Sequence, residues 1–590
     1  MTEIRSLFKL HQGMKIPHML VDCCCHPRQK ISVFILVPVL LIIQTLIIRP
    51  WGNFPLNDDW RYSLVTMRWV ETGSFSLFVP MSPSLVLQAL WGKWFIDIFG
   101  FSHALLRFTN VLICIGWLGL LYWTLTLLKV KRMVRVILLI LVITNPLVTY
   151  VTFSFMTDLP GLFISWLGIL LWFWHLHILD KEGLNNKAFC VALAGSFFMG
   201  LSFWVRQLSV LVYPACFLAR WGMESLSARR VFPGKKMLPY IFPSLIFALT
   251  IACYFWWART THNLSSEFTE KLTLISMERC GDILLQGIIW FFYATAFLFP
   301  ILVLFCDAKE VFQQLKRKGV LGLILSLLLL STAIYLRSNN DYDLKANVHA
   351  HFPFLGNILN PYGVGPITLT DVYIEHGPRH PRFQPIAWIC LELGFIFSIV
   401  YWVKIVAEFM TLIKKRIPSI QSEACLFAVF LVCVTYFTNS VLFGQAIFDR
   451  YTLPILPGLL VFIGVLLSNT KLSSRRIAFV FLPLAFMYGL YGVGGVHDYF
   501  RWNEARWQLY QRALDKGINP LEVDGGHELN AWVAYRSGVE ADTACSNIWF
   551  CEKRPYAISM HTEKATLLDE AKVPSILGEF PSLFLIKRVL

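Results

Sequence analysis

Long apolar runs alternate with short polar links over most of this chain, and the runs have the length that a bilayer requires. Runs near 32–49, 103–128, 133–151, 159–178, 188–204, 208–219, 238–258, 283–305, 319–336, 385–405, 423–443, 452–468 and 477–495 predict about thirteen membrane-spanning helices, since roughly 20 apolar residues cross the hydrocarbon. The first, ISVFILVPVLLIIQTLII, is long enough to span and no small-residue cleavage site follows it, so it reads as an anchored helix. The pattern predicts an all-α polytopic membrane protein.

The polar links carry the topology. Basic clusters stand in the N-terminal tail (Lys9, Lys15, Arg28, Lys30), in KVKR from Lys129, ARRVFPGKK from Ala228, KRK from Lys316, KKR from Lys414 and KLSSRR from Lys471. With these spans every cluster falls on one side, and the excess of Lys and Arg makes that side cytoplasmic. The expected organisation is a cytoplasmic tail (1–31), a transmembrane part with extracytoplasmic loops (32–495) and a small extracytoplasmic C-terminal domain (496–590).

Composition agrees. The chain of 590 residues is 56% hydrophobic and 15% charged, with a mean hydropathy of +0.58, beyond what a soluble domain sustains. The formal charge of +15 is spread over the membrane-flanking clusters, which argues against a nucleic-acid partner. Most of the 14 cysteines lie in apolar runs and none has metal-ligand spacing. In CSNIWFC, Cys545 and Cys551 either form a disulfide or remain free thiols. Asn263-Leu264-Ser265 forms a glycosylation sequon on the outer side.

Candidate chemistry collects on that side. FPLNDDWRYS places Asp58 and Asp59 just beyond the first run. Adjacent carboxylates repel, so partial burial pushes one towards the range of a useful base while the other stays ionised; the plainer reading is a helix cap followed by solvated charge. Asp158, in SFMTDLPGLF, opens a later helix and invites the same two readings. In SFWVRQLSVL, Arg206 and Gln207 sit between two apolar runs, where an unpaired guanidinium is costly and needs an anion. His349 and His351 in NVHAHF offer two ring nitrogens but no third metal ligand, so a plain loop competes with a binding role. The loop 337–384 has the length of a lid.

Taken together, these motifs resemble the membrane glycosyltransferases of the C-type fold that use polyprenyl-phosphate-linked sugars, among them the protein O-mannosyltransferases and the lipid A aminoarabinose transferases. The resemblance rests on NDDW in the first outer loop, TDLPGLF opening a later helix, the following RQ, and DRYTLPILPGLL, which is similar to the family's RY-x-x-P-x-x-P span. It covers about residues 30–495. Family members often carry Asp-Glu in the first loop where this chain has Asp58-Asp59, which leaves the identity of the base open between the two.

The resemblance implies transfer of a sugar from a lipid-phosphate donor to an acceptor hydroxyl outside the cytoplasm. It casts Asp58 as the base by position, with Asp59 and Asp158 orienting substrate or binding a divalent cation. Arg206, Arg450, Arg337 and Lys93 become candidates for the donor phosphate, and Gln207, His349 and His351 for the acceptor or sugar. Arg450 has a rival role, an ion pair with Asp449 within DRY. The acceptor is an envelope glycan, lipid or protein, and a bacterial plasma membrane fits better than the endoplasmic reticulum. The alternative function is a transporter or lipid flippase, but such proteins place ionisable groups near the midplane, whereas these lie at helix mouths. Asp97 is an exception, placed in an interfacial helix.

Overall fold

The computed structural model describes residues 27–78, 81–229, 234–263, 293, 296–304, 357–360, 362–372, 408–411, 419–438, 448–468, 470, 472–539, 550–551, 553–563 and 565–589. The spans expected at 319–336 and 385–405, together with Arg337, His349, His351 and Cys545, lie outside the described residues.

Most of the described apolar runs are helical. The first is α1 (Pro27–Ile48), and the segment after it contains α2 (Asp59–Thr72) and α3 (Val86–Phe99). There follow α4 (His103–Leu127), α5 (Arg132–Ile143), α6 (Pro146–Thr152), α7 (Asp158–Glu182) and α8 (Asn186–Leu201). After them come α9 (Val212–Ala228), α10 (Ile241–Thr260), α11 (Ile420–Phe437) and α12 (Leu456–Leu467). Two further helices, α13 (Leu482–Asp515) and α14 (His527–Arg536), complete the set used below.

Among the described residues, α4, α7, α8 with its 3-10 extension, α10 and α13 with the turns before it are long and apolar enough to cross a membrane. The run at 133–151 is bent: α5 and α6 meet at 67°, because Pro146 cannot continue the α5 hydrogen-bond ladder and starts α6 at a side-chain cap from Asn145. Exposed Ile42, Leu46, Phe242, Leu245, Phe486 and Met487 line the outside of the helices, as a lipid-facing surface requires.

The all-α expectation needs correcting after the last span. There α13 runs unbroken for 34 residues, about 50 Å at 1.5 Å per residue and well beyond a hydrocarbon core of about 30 Å. The boundary expected at 495/496 therefore falls inside a helix. The far half of α13 buries Val496, Phe500, Trp502 and Leu509 in the same apolar core as a sheet. The sheet comprises β3 (Val523–Asp524), β4 (Tyr556–Ser559), β5 (Ala565–Ala571) and β6 (Leu583–Arg588), in the order β3-β4-β6-β5. Only β3 and β4 are parallel.

The described part of the long loop, 357–372, is not a free lid. Buried almost throughout, it forms a strap that begins with a small hairpin, β1 (Leu359–Asn360) on β2 (Gly363–Val364). Gly365 lies against the Tyr499 ring, where a Cβ would stand 2.3 Å from a ring carbon, and its φ of +111° is a second reason for glycine. Farther on, Thr370 Oγ1 donates to Asp524 at 2.9 Å. Asp371 accepts from Ser559 Oγ at 2.6 Å and Met560 N at 2.8 Å. The strap thus stitches the bundle to the sheet.

Candidate active site

Three chain segments meet at one mouth of the bundle. Asn57 takes a left-handed φ of 46°, which its short polar side chain tolerates, and this turn delivers Asp58 to the N-cap position of α2. The side chain makes no cap hydrogen bond there; instead Arg450 Nη2 donates to Asp58 Oδ2 at 2.9 Å, across 392 residues of sequence. This excludes both the capping reading of Asp58 and the local Asp449–Arg450 ion pair. Asp449 is fully buried and accepts the backbone N–H groups of Ile358, Leu359 and Arg450, fixing the strap and turning Arg450 towards Asp58.

The second ion pair stands beside the first. Asp158 lies in the first turn of α7, where the helix dipole favours a carboxylate. Arg206 Nη1 is 3.2 Å from Asp158 Oδ2 and donates to Thr157 Oγ1 at 2.8 Å. Gly161 lets the Arg206 turn approach, since a Cβ there would meet Ser209 Oγ at 3.1 Å. Both guanidinium groups lie over the Tyr451 ring, at 5.6 Å for Arg206 and 5.8 Å for Arg450. Asp158 also acts electrostatically on Arg450, so the two pairs form one cluster.

That cluster is only half closed. Arg450 is 7% exposed, yet its Nε and Nη1 have no hydrogen-bond partner among the described residues. Near it is a small pocket lined by Asp158 and Arg206 together with Leu162, Leu208, Val212, Leu453 and Pro454. Arg206 lines that pocket and shares the Tyr451 ring with Arg450, so two guanidinium groups, which bind anions strongly, stand close to an apolar wall.

The paired carboxylates have separate roles. Asp58 keeps a side-chain exposure of 20%; although burial opposes ionisation, Arg450, Arg61 and His527 hold its carboxyl well below the usual carboxylate range. Asp59 is 1% exposed and faces the protein, accepting from the N–H groups of Leu56 and Phe155. Burial, partly offset by Arg107 and those N–H groups, pushes it up to about 7. Phe155 O in turn accepts from Gln88 Nε2 at 2.9 Å, and Asn110 Nδ2 donates to the carbonyls of Ser154 at 2.6 Å and Met156 at 3.0 Å. Asp59 is therefore a staple between the Asp58 loop and the approach to Asp158.

Other candidates are placed elsewhere. Gln207 Nε2 donates to Ser82 O at 2.6 Å and serves the wall. Lys93 pairs with Asp97 at 2.6 Å along α3, one turn apart, and does not reach the cluster. Asn263, of the sequon, is 2% exposed; its Oδ1 accepts Leu77 N at 2.7 Å and its Nδ2 donates to Phe75 O at 3.3 Å, so the amide is committed to folding. As for a divalent cation, both oxygens of Asp59 accept N–H groups and Asp158 faces Arg206. The described residues contain no group of three His, Cys, Asp or Glu side chains arranged to hold a metal. With Asp59 taken up by backbone donors and Asp158 facing Arg206, these two carboxylates do not by themselves make a cation site among the described residues.

Sequence reasoning missed His527, which opens α14 in the C-terminal part. Its Nε2 lies 4.0 Å from Asp58 Oδ1 and accepts from Trp60 Nε1 at 3.3 Å. Trp60 also packs on Tyr535 at 5.6 Å between ring centroids, docking α14 onto α2. The only advance signal was DGGHELN, whose glycines mark a tight turn: Gly526 has φ +84° and touches Thr368 O, to which His527 N donates at 2.9 Å.

No protein-family model matches this chain, and no curated protein matches it. Similar solved structures include the crystal structure of ArnT from Cupriavidus metallidurans bound to undecaprenyl phosphate, with 10% identity over 87% of this chain and 75% of that one and a TM-score of 0.42. The same protein in the apo state gives 9% identity, 86% and 75% coverage and a TM-score of 0.40. The archaeal oligosaccharyltransferase AglB from Archaeoglobus fulgidus, in complex with an inhibitory peptide and a dolichol-phosphate, gives 13%, 81%, 59% and 0.39.

Proposed function

We propose that the protein is a membrane glycosyltransferase that moves a sugar from a polyprenyl-phosphate donor to an acceptor hydroxyl on the extracytoplasmic side, with Asp58 as the base. The observation that carries this reading is the ionised Asp58 bound to one edge of Arg450 while Nε and Nη1 of that buried guanidinium stay unfilled. Buried polar groups are normally satisfied, so an unfilled cationic edge beside a carboxylate suits an incoming anion. The donor phosphate takes that edge together with Arg206, and the polyprenyl chain follows the apolar wall of the pocket. Asp58 then accepts the proton of the attacking hydroxyl, while the arginines stabilise the charge that grows on the departing lipid phosphate. As phosphate draws Arg450 away, Asp58 loses part of what holds it ionised and becomes a stronger base. The acceptor is a small envelope glycan or lipid, and the membrane a bacterial plasma membrane.

The test supplies purified protein with polyprenyl-phosphate sugars and envelope extract, and follows products by mass spectrometry. A new glycoside is expected. Flux of an intact solute, with no glycosidic bond formed, would establish the transporter alternative instead.

A further inference from the structure

Resting on that transferase reading, we propose that His527 is a relay residue that removes the acceptor's proton from Asp58 and restores the carboxylate for the next turnover. The geometry is specific. Arg450 occupies Oδ2 of Asp58, and His527 faces the other oxygen, Oδ1, at 4.0 Å. The Trp60 indole can only donate, so its 3.3 Å contact makes Nε2 the accepting nitrogen and places the neutral ring's proton on Nδ1. Nε2 and Oδ1 are thus two acceptors facing each other with no proton between them, which explains a separation beyond hydrogen-bond length. A proton on Oδ1 turns this contact into an O–H···N hydrogen bond and draws the two together.

The step balances as follows. The acceptor oxygen forms its bond to the anomeric carbon as the bond from that carbon to the lipid-phosphate oxygen breaks, and the phosphate keeps the electron pair. The acceptor's proton passes to Asp58 Oδ1, from there to His527 Nε2, and finally to water. Trp60 N–H loses its acceptor while the ring is charged, which makes the imidazolium short-lived. Burial and Arg61 lower His527 to about 4, so a proton taken up by the ring is readily passed on to water. The other charged groups acting on the ring are Asp58 and Glu528, which favour its protonation, and Arg506, which opposes it. The relay belongs to α14, so the C-terminal part contributes to the chemistry and is more than a cover.

The experiment uses the full-length protein in nanodiscs with undecaprenyl-phosphate-linked glucose, mannose and aminoarabinose, counting sugar transferred to envelope extract or released to water. His527→Gln retains an acceptor for Trp60 but takes up no proton, so kcat is expected to fall on the order of 10-fold to 100-fold, within the range of acid–base assistance, at unchanged donor KM. His527→Ala is expected to regain rate with added imidazole, and more with more basic imidazoles, which a purely structural role would not produce. Thermal melting of both variants checks folding. Wild-type kcat in His527→Gln, or folded His527→Ala that imidazole does not rescue, overturns the relay while leaving the transferase intact. A wild type that releases sugar from none of the three donors sinks the transferase reading, and the relay falls with it.

Discussion

Two buried arginines, Arg506 and Arg450, answer the same electrostatic problem in different ways. Arg506 is fully buried and both of its terminal nitrogens are filled by protein, leaving only Nε without a hydrogen-bond partner among the described residues: it meets Glu528, Asn503 Oδ1 at 2.6 Å, Thr368 Oγ1 at 3.2 Å and Gly525 O at 3.5 Å. Thr368 Oγ1 also donates to Glu528 Oε2. Arg450 has one directed side-chain bond, to a carboxylate that is 20% exposed, and two of its nitrogens, Nε and Nη1, lack a partner among the described residues. Arg506 joins the strap, α13 and α14 into one body, whereas Arg450 retains capacity for a ligand. We read the network with both terminal nitrogens filled as serving stability, and the arginine with two unfilled nitrogens as the one proposed to bind.

The largest expected effect lies in the closed network. Glu528→Gln preserves shape but leaves Arg506 without its counter-charge, and breaking a buried pair costs about 3–5 kcal/mol. Thermal unfolding in detergent should show a large loss, accompanied by exposure of residues 357–372 to proteolysis. A melting temperature equal to that of the wild type would erase the distinction between the two arginines. Next comes the open site. Asp58→Asn removes the proposed base and should lower transfer about 100-fold, or about 2.7 kcal/mol at 1.36 kcal/mol per tenfold, with little change in melting. Arg206→Ala should weaken donor binding, seen in KM, and phosphate departure, seen in kcat. Stability losses at Asp58 that match those at Glu528 would show the pair to be structural.

The sequence made the open site more legible than the closed one. Asp58, Asp158, Arg206 and Arg450 each stand at the end of an apolar run, where a charge has to be explained, and the bundle's alternation brings helix ends together on one face. The partners were not legible: that Arg450 serves Asp58 and not Asp449 depends on the strap, whose N–H groups take up Asp449. Likewise Asp59 cannot be told from Asp58 in the string DD; the turn at Asn57 sends one outward and the other inward. The helices were readable from length and hydropathy, but the sheet was not, because its strands are two to seven residues long and pair across a chain that carries no periodic signal.

The two carboxylates also differ in their response to pH. Asp59 titrates at about 7 in the folded protein against 3.8 as the ordinary value, so between those values the native state binds more protons than the unfolded one. Stability from this group therefore grows as pH falls through that window and is lost as pH rises towards 7, with a slope approaching 1.4 kcal/mol per pH unit at most. Asp58 has the opposite sign, and its contribution is lost only at pH below the usual carboxylate range. Compared with the wild type in thermal melting, Asp59→Asn should lose this stability gain as pH falls from 7 to 5, whereas Asp58→Asn should keep the wild-type pH response in that window. An unchanged slope in Asp59→Asn would show that the inward carboxylate stays ionised.

The smallest effect is expected at a contact that distance alone would rank with the active site. Lys516 Nζ meets Asp569 Oδ2 at 2.9 Å, the same length as Arg450 to Asp58, and Arg512 Nη1 reaches Asp569 Oδ1 at 3.1 Å. The difference is solvent: the Arg512 and Lys516 side chains are 45% and 43% exposed, so water screens the attraction and solvates each partner when the other is removed. Exposed pairs of this kind contribute about 0.2–1 kcal/mol. Asp569→Asn should shift melting only slightly, and that shift should shrink further at high salt, because screening acts on surface charges and leaves buried ones largely untouched. A loss comparable to that of Glu528→Gln, insensitive to salt, would mean that pairing geometry and not burial decides what these arginines do, and the contrast between Arg506 and Arg450 would then need another cause.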